Sequence, residues 1–478
     1  MKLALVASEM VPMVKVGGLA DVVGALAGAL RGLGHHVTVF IPYYGNFDLS
    51  AYSFARRLIP IQVKIGGRDV GVDIYECRLG SGVEVKAFGC PEYFERGKAY
   101  TEEPDEPVRF GLFSKATAAF IGQEADRFDI IHCHDWHAAL VPFFLKRRMA
   151  GGDEGARIPV VLTIHNLAHQ GLGDRDIIPV LDLGWDSFTP TGFEFYGKVN
   201  LFKAGLLTAQ AVTTVSPNYA REILDPQHGA GLEGVLRTLE VPFRGILNGI
   251  DETRWDPATD RLIPAAFSAD DLKGKETCKA ALQKEAGLDV DPAATLMGVV
   301  TRLDPQKGID LITAVMPRLL RSSTQIVILG QGQKEMEERL QMIRQSWKGR
   351  VAVTLAFDEP LSHRVYAGSD LFLAPSRFEP CGLGAMIAMK YGALPVVRAT
   401  GGFVDTVVDA DRQLRTGSGF VFESIDPVDF LGASLRAVSY HQGGGTDWKQ
   451  IQKRVMGRDF SWKSSARKYE ALYQEIRG

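Results

Sequence analysis

Short apolar runs recur along the chain, and stretches with apolar positions at helical spacing lie between them. Residues 3–7 read as a buried β-strand, and residues 22–30, small and apolar, as the packed helix that follows. Residues 36–41 give a second strand, which Pro42 is expected to stop. Between residues 54 and 88 the runs I-Q-V-K-I, V-D-I-Y-E and V-E-V-K-A, joined by glycine pairs, predict antiparallel hairpins inserted into the pattern. Residues 107–122 form an amphipathic helix, and 128–133 and 160–164 are buried strands. A short strand at 211–215 precedes Ser216-Pro217, a helix start with Ser at the N-cap and Pro at the first turn. The second half repeats the theme, with strands at 296–300, 325–329, 351–356, 371–374 and 395–397 and helical patterns between. From Asp459-Phe460-Ser461-Trp462 onward the chain reads as an amphipathic helix with Tyr469, Leu472 and Tyr473 on one side.

Strand and helix in alternation predict α/β architecture with parallel, doubly wound sheets. The length of 478 residues calls for at least two such domains, and a turn at Asn248-Gly249-Ile250-Asp251 puts the linker around 243–252. Ligands of doubly wound sheets bind at the carboxyl ends of strands, and the polar clusters of this chain fall there. A cleft between two domains is the favoured place for a ligand.

Composition narrows the partners. A net charge of −3 gives no reason to expect nucleic acid or an anionic membrane. The five cysteines, Cys77, Cys90, Cys133, Cys278 and Cys381, show no paired spacing, which argues for free thiols in a reducing compartment. The N-terminus is not a secretory signal, and no apolar run reaches the ~20 residues of a membrane span. The expectation is a cytoplasmic enzyme.

The stretch Lys15-Val16-Gly17-Gly18-Leu19-Ala20-Asp21 sits between the first strand and its helix. Glycines without Cβ let a ligand approach the main chain, a helix start offers N–H groups, and Lys15 adds a compact charge suited to phosphate. An ordinary βα turn with a solvated lysine is the alternative. Arg302 and Lys307 share one loop after a strand, where two cations can converge on a diphosphate or stand as solvated charges. Glu379 precedes Cys381-Gly382-Leu383, where free N–H groups at a helix start can meet phosphate oxygens. Glu379 itself is either an acceptor for sugar hydroxyls or a charge favoured by the helix dipole. Gly330 closes another strand, and Thr400-Gly401-Gly402 can present bare N–H groups.

His132, His134, Asp135 and His137 lie within six residues, so zinc needs weighing. Two of them sit on a strand and two start a helix, so their side chains should diverge. Sugar hydrogen bonds by His134 or His137 and an N-cap by Asp135 are the better reading. His165-Asn166 closes a strand with two polar residues. There is no G-x-S-x-G elbow, no G-x-x-x-x-G-K-[ST] and no H-E-x-x-H, so hydrolase, P-loop and zincin readings lack support.

At this point the motifs meet a known family. K-V-G-G-L-A-D, H-C-H-D-W-H-A, T-I-H-N, I-L-N-G-I-D, R-L-D-P-Q-K-G, Y-A-G-S-D-L-F-L-A-P-S-R-F-E-P-C-G-L and T-G-G-F-V-D-T-V occur in order, and D-F-S-W-K-S-S-A closes the chain. The sequence resembles, from end to end, the bacterial glycogen synthases and plant starch synthases that use ADP-glucose. The resemblance implies a GT-B fold: two Rossmann-like domains, 1–243 and 244–455, facing a central cleft, with a helix at 456–478 crossing back onto the first. It implies retaining transfer of glucose from ADP-glucose to the 4-hydroxyl at the non-reducing end of an α-1,4-glucan, with no metal and no cofactor. Carried over, Lys15, Gly17 and Gly18 face the donor diphosphate with Arg302 and Lys307. His165 lies beside the transferred glucose, Asn166 and Asp21 position donor or acceptor, and Glu379 binds glucose hydroxyls. Cys381, Gly382 and Leu383 form the sugar–phosphate helix start, with Gly330, Gly401 and Gly402 also on the donor side. Phe94 and Tyr100, with Asp135 and His137, face the acceptor. Three departures stand out: Val16 for the usual Thr, Gly384-Ala385 for Thr-Gln, and Phe94 for Tyr. A UDP-glucose-using or disaccharide-forming GT-B transferase, or a non-catalytic glucan-binding homologue, is the alternative.

Overall fold

The computed structural model describes residues 1–478 apart from 102, 125–127, 154–156, 411–415 and 444–445. Two compact units emerge: Met1–Gly249 joined by Trp462–Gly478, and Ile250–Ser461.

The first unit is built on a ten-stranded sheet. Its strands are β1 (Lys2–Val6), β2 (His36–Tyr43), β3 (Ala55–Arg56), β4 (Ile61–Ile65), β5 (Arg68–Arg78), β6 (Glu84–Gly89), β7 (Ile130–His134) and β8 (Val160–Ile164). A small separate sheet of β9 (Leu172–Gly173), β10 (Glu194–Phe195) and β11 (Lys198–Asn200) follows, and β12 (Ala211–Thr214) and β13 (Phe243–Gly245) return to the large one. The order is β13-β12-β8-β7-β1-β2-β6-β5-β3, with β4 beside β5. Every pair from β13 to β6 is parallel, and β5 pairs antiparallel with β6, β3 and β4. The expected hairpins are therefore a flange whose last strand has joined the parallel sheet. β1, β7 and β8 are buried almost throughout because helices cover both faces.

Pro42 does not stop the second strand, which runs on to Tyr43. β1 pairs with β2 only as far as Phe40, so Pro42 has a strand neighbour on one side alone, β6, and a missing N–H is tolerated there. Ser216 caps its helix as expected, accepting from the Tyr219 N–H at 2.9 Å. The final helix, Trp462–Arg477, buries Trp462, Ala466, Tyr469, Leu472 and Tyr473 in the first unit, the face that the periodicity assigns.

The second unit carries six parallel strands: β14 (Thr295–Val300), β15 (Thr324–Leu329), β16 (Val351–Thr354), β17 (Leu371–Ala374), β18 (Leu394–Arg398) and β19 (Phe420–Phe422), in the order β16-β15-β14-β17-β18-β19. Lys275, fully buried, donates to the carbonyls of Ala367, Ser369 and Tyr391 at 2.8–3.0 Å. One ammonium thereby satisfies carbonyls at the ends of two helices. Among the described residues no helix is long and apolar enough to cross a membrane.

Candidate active site

In each unit the strand order reverses once. In the first, β2 lies on one side of β1 and β7 on the other; in the second, β15 lies on one side of β14 and β17 on the other. The crevice at such a reversal, outside the carboxyl ends of the strands, is where open α/β sheets take ligands. β1 runs out towards Glu9 and the glycine loop, β7 into Asp135 and His137, β8 into His165 and Asn166, β14 into Arg302 and Lys307, and β17 into Glu379.

The glycine loop leads into the helix Gly18–Gly32, with Gly17 as an extended N-cap. It holds an anion already. The buried carboxylate of Glu9 accepts from the N–H groups of Val16 at 2.5 Å and Gly17 at 3.0 Å. Burial raises the Glu9 pKa, while these two bonds and the Tyr100 hydroxyl oppose the rise. The expectation of bare loop N–H groups thus needs correcting: those of Val16 and Gly17 serve Glu9, and the helix start from Gly18 onward remains for a ligand. Lys15 is ion-paired with Asp21 at 2.8 Å. Glu9 escaped the sequence reading. Its signal was an acid placed between a buried strand and a glycine pair.

Tyr100 ties its own segment to this loop. Its hydroxyl lies 2.7 Å from Ser8 Oγ and 3.2 Å from Glu9 Oε1, and its ring is 5.0 Å from that of His137. Phe94 is a correction. It is wholly buried, edge-on to Tyr44 in the core, and presents no surface to a glucan. The helix Pro91–Phe94 turns it inward, under Tyr44.

Asp135 is a second correction. It makes no cap to the turn of helix at Trp136–Ala138. Its carboxylate reaches across to β8's end and accepts from the N–H of His165 at 2.7 Å and of Asn166 at 3.4 Å. Its backbone has φ 57 and ψ −176, a region nearly reserved for glycine, which costs about 1–3 kcal/mol. Burial pushes its pKa up to about 7. His132 and His134, two residues apart on a strand, share a face, with ring centroids 4.1 Å apart. His134 Nδ1 lies 3.0 Å from His165 Nε2. Burial holds the pKa of His132 and of His165 down to about 3, and those of His134 and His137 well below the usual value. Burial thus favours the neutral form of all four rings. Among the described residues no group of three or more His, Cys, Asp or Glu is arranged to hold a metal ion.

In the second unit Lys307 Nζ meets the Glu379 carboxylate at 2.7 Å, and Ser376 donates to the same oxygen at 2.9 Å. Arg302 is exposed, 3.4 Å from Asp304. A cavity of about 60 Å³ opens beside Thr301, Lys307, Glu379, Gly382, Gly384 and Phe403. It is lined by Gly384 and Ala385, together one of the three departures. Gly382, at φ 85, is the N-cap of the helix Leu383–Lys390, with no side-chain cap. Three glycines have a structural reason to be glycine. A Cβ on Gly330 would lie 1.9 Å from the Thr301 carbonyl oxygen, on Gly401 1.9 Å from that of Glu379, and on Gly402 1.9 Å from that of Cys381. Gly402 N–H donates to the Glu379 carbonyl at 3.0 Å, so it braces the Glu379 loop rather than offering a bare donor, as the sequence suggested.

The chain matches two families in succession, the starch synthase catalytic domain over residues 2–238 and glycosyl transferases group 1 over residues 283–439. It is 44% identical to a glycogen synthase of Anaeromyxobacter sp. (strain Fw109-5), over 100% of this chain and 99% of that one. It is 42% identical to glycogen synthase 2 of Geobacter sulfurreducens, over 99% and 98%. The catalytic domain of starch synthase IV from Arabidopsis thaliana, solved with ADP and acarbose, superposes with a TM-score of 0.93 at 36% identity, over 99% of both chains. Sucrose-phosphate synthase from Thermosynechococcus elongatus, at 18% identity and a TM-score of 0.63, shares the fold. With two doubly wound units, each carrying its polar residues at its own sheet reversal, this chain belongs to the glycogen and starch synthase family of GT-B glycosyltransferases.

Proposed function

We propose that the chain transfers glucose with retention from ADP-glucose to the 4-hydroxyl at the non-reducing end of an α-1,4-glucan and releases ADP. One observation carries the reading. Each unit keeps a lysine at its own sheet reversal, held in place by a carboxylate: Lys15 with Asp21 at 2.8 Å, and Lys307 with Glu379 at 2.7 Å. A pure glucan-binding protein has no use for two such cations, whereas a departing diphosphate needs them.

Arg302 and Lys307 take the charge that develops on the leaving diphosphate, and the helix start at Gly382-Leu383 adds backbone donors. On the first unit, Lys15 and the N–H groups from Gly18 onward are themselves suited to an anion. When Lys307 turns to phosphate, Glu379 is released to accept from glucose hydroxyls. His165, Asn166 and Asp135 place the sugar, and His137 and Tyr100 stand on the acceptor side. The neutral imidazole of His165 adds no charge beside an anomeric centre that becomes cationic, a state that a nearby positive charge would oppose.

The experiment is a donor comparison with the whole chain and glycogen. Radiolabel from ADP-glucose should enter the glucan and label from UDP-glucose much less. A folded preparation that labels glycogen from neither donor rejects the proposal. Efficient use of UDP-glucose alone, or a labelled disaccharide as product, assigns the chain to a different transferase.

A further inference from the structure

Three histidine rings stand in file across the ends of β7 and β8. The ring centroid of His132 is 4.1 Å from that of His134, which is 5.2 Å from that of His165. The file is closed at one end by the last helix of the chain. Tyr473 Oη lies 2.7 Å from His132 Nδ1, and His132 Nε2 lies 2.6 Å from Thr163 Oγ1, itself 2.6 Å from Thr213 Oγ1. At the other end His134 Nδ1 is 3.0 Å from His165 Nε2. His134 has no exposed surface, and its Nε2 has no hydrogen-bond partner among the described residues.

We propose that His134 is the positioning residue of His165: it donates its Nδ1 hydrogen to His165 Nε2, and so holds the His165 proton on Nδ1. Two neutral arrangements fit a single bond between these nitrogens. In the first, His134 carries its proton on Nδ1 and donates it, and its buried Nε2 is a bare lone pair. In the second, His165 Nε2 donates to His134 Nδ1, and the His134 proton must then sit on Nε2 as a buried N–H with no acceptor. An orphaned buried N–H is the rarer state in proteins, and an unfilled acceptor the more tolerated one. A charged His134 would sit unscreened between two more imidazoles. The groups that face it carry no compensating anion: His132 and His165 flank it, and the carboxylate of Asp135 is committed to the backbone of His165 and Asn166. Burial lowers the pKa of all three rings, in agreement with neutral forms.

The consequence rests on the reading of His165 as the residue beside the transferred glucose. With Nε2 engaged, any ring bond from His165 to a sugar hydroxyl runs through Nδ1, and it runs as donor. The hydroxyl must accept. His165 then orients the sugar and has no free lone pair for taking a proton, so it is not a general base. His132 lies against the far side of the His134 ring and is itself bonded to Tyr473, which makes the last helix an indirect support of this site.

Nitrogen-15 NMR of the whole chain labelled at histidine tests this without substrate. The His165 signals, assigned by their loss in His165→Gln, should report a protonated Nδ1 and a bare, hydrogen-bonded Nε2. A protonated Nε2 on His165 overturns the proposal. Kinetics give a second arm. His134→Leu keeps the volume and removes the bond, and should lower kcat about tenfold, the loss of one hydrogen bond, with the glucan KM little changed. His134→Asn can place an amide N–H near the Nδ1 position and should recover most of that loss. Equal damage in both variants, or wild-type kcat in His134→Leu, counts against the positioning role. A wild-type chain that transfers no glucose leaves the NMR result standing and rejects only the proposed reaction.

Discussion

The ammonium of Lys307 lies 2.7 Å from the carboxylate of Glu379, across 72 residues of sequence, at the sheet reversal of the second unit. Both side chains are largely screened from water, with 17% and 14% of their surface exposed. A diphosphate arriving there exchanges one anionic partner of Lys307 for another. The pair keeps each group placed until then. Lys307→Ala should lower kcat about 100-fold or more, the scale seen when one electrostatic donor to a leaving charge is removed, and Glu379→Gln, which removes the charge from an acceptor of glucose hydroxyls, should lower it about tenfold or more. Circular dichroism and Tm should stay close to wild type. Activity within about threefold of wild type in either variant would place the reaction elsewhere.

Glu9 makes a different prediction, because it binds the loop and not the sugar. Glu9→Gln loses the charge on its bonds to the Val16 and Gly17 N–H groups, and the loop loosens. The KM for ADP-glucose should rise about tenfold while the KM for glycogen changes little. Equal changes in both constants would show that Glu9 acts on the unit as a whole.

Asp135 links the site to stability through pH. The folded chain holds this proton to about pH 7, while the unfolded chain releases it near the ordinary value of 3.8. Folded protein therefore binds more protons between these values, and this residue's contribution to stability falls as pH rises through that window. Asparagine has no charge to bury. Asp135→Asn should gain stability relative to wild type on going from about pH 4 to about pH 8, by on the order of 1–3 kcal/mol, and lose activity. Thermal melts across that range decide it, and a difference independent of pH refutes it.

Gly402 tests the brace under Glu379. A methyl group there would lie 1.9 Å from the Cys381 carbonyl oxygen, so Gly402→Ala must push the 379–381 turn away. The expected cost is about 1–3 kcal/mol of stability, with a fall in kcat as Glu379 shifts. Full activity with unchanged Tm would show that the turn can give way freely.

Much of this site was legible before any coordinates. His165 directly follows a buried strand, while Lys15, Arg302, Lys307 and Glu379 lie on the loops that leave β1, β14 and β17, and the loop after a buried strand of a doubly wound sheet is at a ligand-binding end. Phe94 misled because the motif that carries it is local, whereas its burial depends on Tyr44, fifty residues away. Pro42 misled because the cost of a proline in a strand depends on which neighbours that strand has.

The sequence by itself determined the long buried strands of both sheets and the helices between them, the glycines that punctuate them, and many of the polar residues that follow each strand. These are properties of spacing within ten or twenty residues, and side-chain period and backbone sterics settle them locally. The tertiary structure alone decided which of those residues meet: Glu9 on the glycine loop, Asp135 under His165, His134 against His165, Lys307 on Glu379 and Gly402 beneath Cys381. Such meetings follow from the order in which strands pair, and strand order is fixed by the packing of the whole sheet, which no local pattern records.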